Sequence, residues 1–155
     1  MKSFIFLTLF SVILLSGCDS MSSRVRDRFT AVSPQTRIYA ASKKTVFNAG
    51  LIAVKNVGLL VGRKSLSNGV IEAYAPIRPG DETRDTRQTS IKINLSDTGD
   101  NQTEVDLLVS EDTEGSFPGG VSQQDLREHS LYELYFTALQ QVLLENGSIK
   151  APANP

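Results

Sequence analysis

The chain has 155 residues, with 16 Lys plus Arg against 17 Asp plus Glu and a formal net charge of −1. That balance carries no basic domain or stripe, so no nucleic-acid partner is expected. A single Cys and a single His exclude an internal disulfide and make zinc a poor fit.

Met1 and Lys2 give a short positive start, and residues 4 to 15, FIFLTLFSVILL, are apolar apart from Thr8 and Ser11. Small residues Ser16 and Gly17 follow. This order is that of a secretory signal peptide over residues 1–17. As a permanent span it is too short, since about 20 apolar residues are needed to cross the hydrocarbon core.

The lone cysteine, Cys18, comes next. Leu15-Ser16-Gly17-Cys18 resembles the lipobox of bacterial lipoproteins. The resemblance implies a diacylglyceryl group on the Cys18 thiol, cleavage after Gly17 and membrane attachment through acyl chains. Each buried CH₂ contributes about 0.8 kcal/mol; one chain binds marginally, and two or more hold firmly. Asp19 resembles the signal that keeps such lipoproteins in the inner membrane of enteric-type bacteria. The implied location is the cell envelope, facing the periplasm, at the inner rather than the outer membrane.

Residues 18–36 read as the lipidated N-terminus and a linker, because residues 19–36 show no sustained period. A flexible chain of that length reaches roughly 20–25 Å. Arg24, Arg26 and Arg28 lie in it and fall short of the polybasic cluster that binds anionic headgroups.

Residues 37–147 are expected to form one α+β domain, with 148–155 a flexible tail. Ile38 and Tyr39 in TRIYAA favour a first strand. Ser42 can cap a helix, and Val46, Ala49, Gly50, Ala53, Val54 and Val57 fall on one face of it. Gly58 is placed to end it. Gly50, costly inside a helix, suits a close approach to a sheet. Residues 59–66 and 69–77 form two strands around Ser67-Asn68-Gly69, a hairpin signal. Residues 78–88 are polar and read as a loop or an extension of the next hairpin. Residues 89–96 and 103–109 alternate apolar and polar, as in an antiparallel sheet with one wet face. Residues 110–120 are expected to carry the chain across to a final helix over 123–147, whose apolar face includes Leu131, Tyr132, Tyr135, Phe136, Leu139 and Val142.

The resulting order is β-α-β-β-β-β-α: an antiparallel sheet of four or five strands with both helices on one face. Lipobox, short linker and this order together resemble small bacterial envelope lipoproteins with helix-grip-like domains, of uncharacterised families. The order is also loosely similar to the domains of the C lipoprotein of the outer-membrane assembly complex.

The chemistry-bearing residues are sparse. His129 has no partner in the sequence that makes it a general base. No G-x-S-x-G elbow or phosphate loop is present. Glu111, Asp112 and Glu114 lack EF-hand spacing. No catalytic residue, metal or cofactor is therefore expected. Phe117, in the polar segment GSFPGG, is a candidate contact for a protein partner, since aromatics dominate interface hot spots. Tyr132, Tyr135 and Phe136 read as core.

The function expected is a non-catalytic, lipid-anchored periplasmic protein. It would work through contacts with an as yet unknown envelope protein, with an exposed apolar patch around Phe117 or Leu108. The alternative is a carrier or sensor holding a small apolar ligand between helices and sheet.

Overall fold

Among the described residues, six strands and two helices follow in the order β-α-β-β-β-β-β-α. The computed structural model describes residues 31–77, 86–114 and 121–149, and this fold lies in one unit, Val32–Pro155. The expected α+β class holds, with one strand more than the sequence suggested.

The first strand, β1, spans Gln35–Tyr39. Ser42 then caps helix α1, Lys43–Asn56, its side chain accepting from the Thr45 N–H. Gly58 ends the helix at φ 81°. The Gly58 N–H reaches the Lys55 carbonyl and the Leu59 N–H the Val54 carbonyl, which satisfies two otherwise orphan carbonyls.

Strands β2, Leu60–Ser65, and β3, Val70–Tyr74, form the expected hairpin. Only Gly69 in its turn takes a positive φ, at 66°; Asn68 does not. The Gly69 carbonyl accepts from the Leu95 N–H at 2.7 Å, so the turn is pinned to the neighbouring strand. Strands β4, Thr86–Gly99, and β5, Gln102–Glu114, pair along their whole length. Asp100 and Asn101 both adopt positive φ between them, the two-residue turn whose twist suits a hairpin.

β5 organises the sheet. β4 covers one of its edges. On the other edge β1 pairs with residues 103–107 and the sixth strand, β6, with residues 109–114, end to end. The sheet then continues from β4 through β3 to β2, and every pairing is antiparallel.

β6 spans Val121–Leu126 and corrects the sequence reading. The last helix, α2, runs only over Ser130–Glu145, not from residue 123. Gln123, Gln124 and Asp125 suit a helix locally. What decides is β5, which overhangs past Val109 and offers free backbone groups that β6 satisfies. Ser110 Oγ also donates to Asp125 at 2.7 Å. Residues 110–114 are accordingly strand, not connector.

α1 and α2 pack against each other and on one sheet face. Ile71, Ala73, Ile91, Ile93, Leu95, Val105, Leu107 and Val109 supply that face, and all are buried. Gly50 lets α1 approach more than the sheet. A Cβ there would lie 2.9 Å from the Tyr135 hydroxyl of α2 and 3.3 Å from Ile71 Cδ1. On the opposite face Lys92 is exposed and Glu104, Asp106 and Leu108 are half-buried.

Candidate functional site

β1 has a sheet neighbour on one side only among the described residues. Along its other edge runs an open groove of about 840 Å³. Arg37, Ile38 and Tyr39 of β1 and the following Ala40 form one wall; Gln140 of α2 and the turn after the helix, with Ser148 and Ile149, form the other. The turn is fixed by Gly147 at φ 62°, where the Gly147 N–H meets the Leu144 carbonyl and the Ser148 N–H meets that of Leu143. That geometry ends α2 and brings Ile149 back against the core.

Arg37 organises one end of the groove. Strand alternation puts it on the helix-bearing face, opposite Val105. Its Nη2 donates to both carboxylate oxygens of Glu133, at 2.9 Å each. The guanidinium also lies over the Phe136 ring, 4.5 Å from the centroid, a favourable placement for a cation. Phe136 in turn meets Tyr135 edge-on at 5.8 Å. Arg37, the charged residue among the described residues that line the groove, is thus paired.

Tyr39 is the polar residue of the same wall. Its hydroxyl is buried and, among the described residues, is the buried side-chain oxygen or nitrogen left without a hydrogen-bond partner. Burial pushes it up to about 12; the Arg37 guanidinium pulls the other way without reaching hydrogen-bond geometry, and Glu133 adds to the rise. Burial likewise pushes the Tyr135 hydroxyl up. Neither group ionises near neutral pH.

Cys18, Asp19 and Phe117 lie outside the described residues. His129 is the N-cap of α2 and not within the helix, as the expected span 123–147 would have it: its Nδ1 accepts from the Leu131 N–H at 3.2 Å. Tyr132, Tyr135 and Phe136 are core, each at most 1% exposed. Leu108 is half-buried on the sheet face away from the helices, where the larger exposed apolar side chains among the described residues are Ile38, Leu60 and Tyr74. Glu111 pairs with Arg87 across β4–β5 at 3.5 Å. Among the described residues no cluster of three or more His, Cys, Asp or Glu is suited to a metal.

Arg37 was not singled out in the sequence. The signal was there: the alternation that places Tyr39 inward also places Arg37 inward, and an inward charge on an edge strand is unusual enough to mark a position.

No family model matches the chain, and no curated protein matches it. Among solved structures it resembles a DUF4468 family protein from Bacteroides ovatus, at a TM-score of 0.34 and 9% identity, over 78% of this chain and 88% of that one.

Proposed function

We propose that the protein is a non-catalytic, lipid-anchored periplasmic domain that works through protein contacts in the cell envelope. One observation carries the reading: Leu15-Ser16-Gly17-Cys18 directly follows a short apolar stretch with a positive start. A thioether-linked diacylglyceryl group on Cys18 would hold the chain firmly in a bilayer. Asp19 would keep it at the inner membrane.

The packing of the domain supports contact over carriage. Val46, Val54, Tyr132, Phe136 and Leu139 are fully buried between helices and sheet, and the Gly50–Tyr135 approach takes up the space between the helices. His129 supports the same side, because its Nδ1 lone pair is engaged as a helix cap.

Growth with an alkyne fatty acid, followed by membrane fractionation, tests the anchor. Wild type is expected to take the label and sediment with inner membranes. Cys18→Ala should lose both, and Asp19→Ser should move the labelled protein to the outer membrane. Equal labelling of wild type and Cys18→Ala removes the anchor reading.

A further inference from the structure

We propose that His129 is an acid-sensitive latch between β6 and α2: on taking up a proton it lets go of the first turn of the helix and, through Tyr132, loosens the hold on β6. The inference goes beyond the contact reading above and does not depend on the Cys18 anchor.

The latch is built on one lone pair. His129 has the extended backbone of an N-cap, φ −154° and ψ 142°. Its Nδ1 accepts the Leu131 N–H at 3.2 Å, and its carbonyl accepts the Tyr132 N–H at 3.2 Å. A cap of this kind satisfies a backbone donor that the helix itself leaves unpaired. A neutral imidazole has one acceptor nitrogen, whereas in the protonated ring both nitrogens are donors. Protonation therefore takes the acceptor away from Leu131. It also sets a positive charge at the helix N-terminus, where the macrodipole favours a negative one. The two effects act in the same direction. Ser, Thr, Asn and Asp, the preferred caps, carry no such switch near neutral pH.

The first turn of α2 is also where the sheet edge is fastened. Tyr132 sits in that turn, and its hydroxyl bonds the Leu126 carbonyl at the end of β6 and the Val109 N–H of β5. Among the described side chains of β6, Ser122, Gln123, Gln124 and Asp125 are exposed and Leu126 packs against the core. Segments with few buried apolar contacts open most readily, so a proton on His129 acts beside an element that is lightly held.

His129 is the single histidine of the sequence, and imidazole is the side chain that ordinarily changes charge between pH 5 and 8. The charged groups around it in the chain and on the elements packed with α2 are of other kinds. Asp125 of β6 is held by Ser110 of β5, Glu111 of β5 by Arg87 of β4, and Glu133 of α2 by Arg37 of β1. Arg127 and Glu128 adjoin it in the chain, and Lys55 lies in the last turn of α1. Carboxylic acids ordinarily titrate below this range and ammonium and guanidinium groups above it.

The test uses the full chain, ¹⁵N-labelled and purified in detergent, with amide exchange measured at pH 7.5 and 5.5 and corrected for the intrinsic effect of pH. Protection of the Leu131 amide is expected to fall about ten-fold on acidification, from loss of the cap and the adverse dipole contact together. The Val109 amide should lose protection over the same pH range, and residues 91–95 of β4 should not respond. The loss should follow the ring-proton shifts of His129. His129→Asn keeps a capping oxygen that takes no proton in this range, so its protection should match that of wild type at pH 7.5 and stay there at pH 5.5. His129→Ala lacks the acceptor and should be poorly protected at both. An intact spectrum elsewhere shows that the variants are folded. A loss in His129→Asn equal to that in wild type assigns the effect to a carboxylate and overturns the proposal. Unchanged protection in wild type, or a loss at Leu131 that leaves Val109 untouched, overturns it equally.

Discussion

The hydroxyl of Tyr132 donates to the Leu126 carbonyl at 2.7 Å and accepts the Val109 N–H at 3.1 Å. Leu126 and Val109 face each other in the β5–β6 ladder. They sit where β6 stops; two residues back along β5, at Leu107, β1 begins. The tyrosine thus splices a break in the sheet edge and satisfies two backbone groups that the break leaves over. Tyr132→Phe keeps the ring and strands both groups. At about 1–3 kcal/mol for each unsatisfied buried group, a loss of roughly 2–4 kcal/mol is expected in urea unfolding. Exchange at the Val109 amide should quicken at the same time. A loss under about 0.5 kcal/mol would mean that water takes over both bonds.

That splice also explains which parts of the fold the sequence discloses. Strands with one wet face announce themselves: Ile91, Ile93 and Leu95 alternate, and so do Val105, Leu107 and Val109, and all are buried. Ser42 and Gly58 mark the ends of α1 because capping is local chemistry. β6 is different. Its residues Ser122, Gln123, Gln124 and Asp125 are exposed, so no burial pattern is written into them, and only the overhang of β5 makes them a strand. The groove was hidden for a related reason. Arg37 lies far in the chain from Gln140 and Ile149, and their meeting depends on how β1 is laid against α2. Cys18 is a different case: the proposed lipobox is a linear pattern that needs no fold to be read, and it lies outside the described residues.

Gly69 takes φ 66°, and a Cβ on it would collide with the Leu95 carbonyl and lie 2.7 Å from Lys43 Cε. Gly69→Ala therefore meets backbone strain and a steric clash together, and a loss of about 1–3 kcal/mol is expected. Gly69→Asn tolerates the left-handed conformation better but keeps the clash. It should remain clearly destabilised in a thermal melt. Removing the Lys43 side chain should not rescue either variant, because the Leu95 carbonyl is backbone and stays in place. Recovery on Lys43→Ala would show that the side chain, and not the neighbouring strand, sets the requirement.

Tyr39 is predicted to give a stabilising variant. Its buried hydroxyl lacks a hydrogen-bond partner, and such a group costs about 1–3 kcal/mol. Tyr39→Phe removes that group and keeps the ring, so a gain of about 1 kcal/mol is expected at pH 7. The pH dependence should change in parallel. The hydroxyl titrates at 10.0 in the unfolded chain and is pushed up to about 12 in the fold. Above pH 10 the unfolded chain loses its proton first, so it binds fewer protons than the native state and stability falls as pH rises. This contribution is intact below pH 10 and is lost through pH 12. Tyr135 is shifted in the same direction and adds to the slope. Urea midpoints between pH 9 and 11.5 should therefore fall less steeply for Tyr39→Phe. Equal slopes would show that Tyr39 does not contribute to alkaline unfolding.

Gly50 and Tyr135 should be coupled strongly enough to reverse the sign of a mutation. Taken alone, alanine inside α1 is favoured over glycine by about 0.8–1 kcal/mol. A Cβ at position 50, however, would stand 2.9 Å from the Tyr135 hydroxyl, and that hydroxyl sits at the end of a rigid ring which is only 1% exposed. Overpacking against a buried ring costs about 1–3 kcal/mol. Gly50→Ala is thus expected to destabilise the wild-type background. Tyr135→Phe removes the obstructing oxygen, so in that background Gly50→Ala should become neutral or stabilising through its helix propensity. The double-mutant cycle should return a coupling of about 1–2 kcal/mol, within the range for residues in direct contact. Ile71 Cδ1, at 3.3 Å from the same point, is the flexible end of a side chain and can yield by a few tenths of an ångström. Additive effects in the cycle would place the constraint on Gly50 at Ile71 and the sheet instead of at the helix–helix contact.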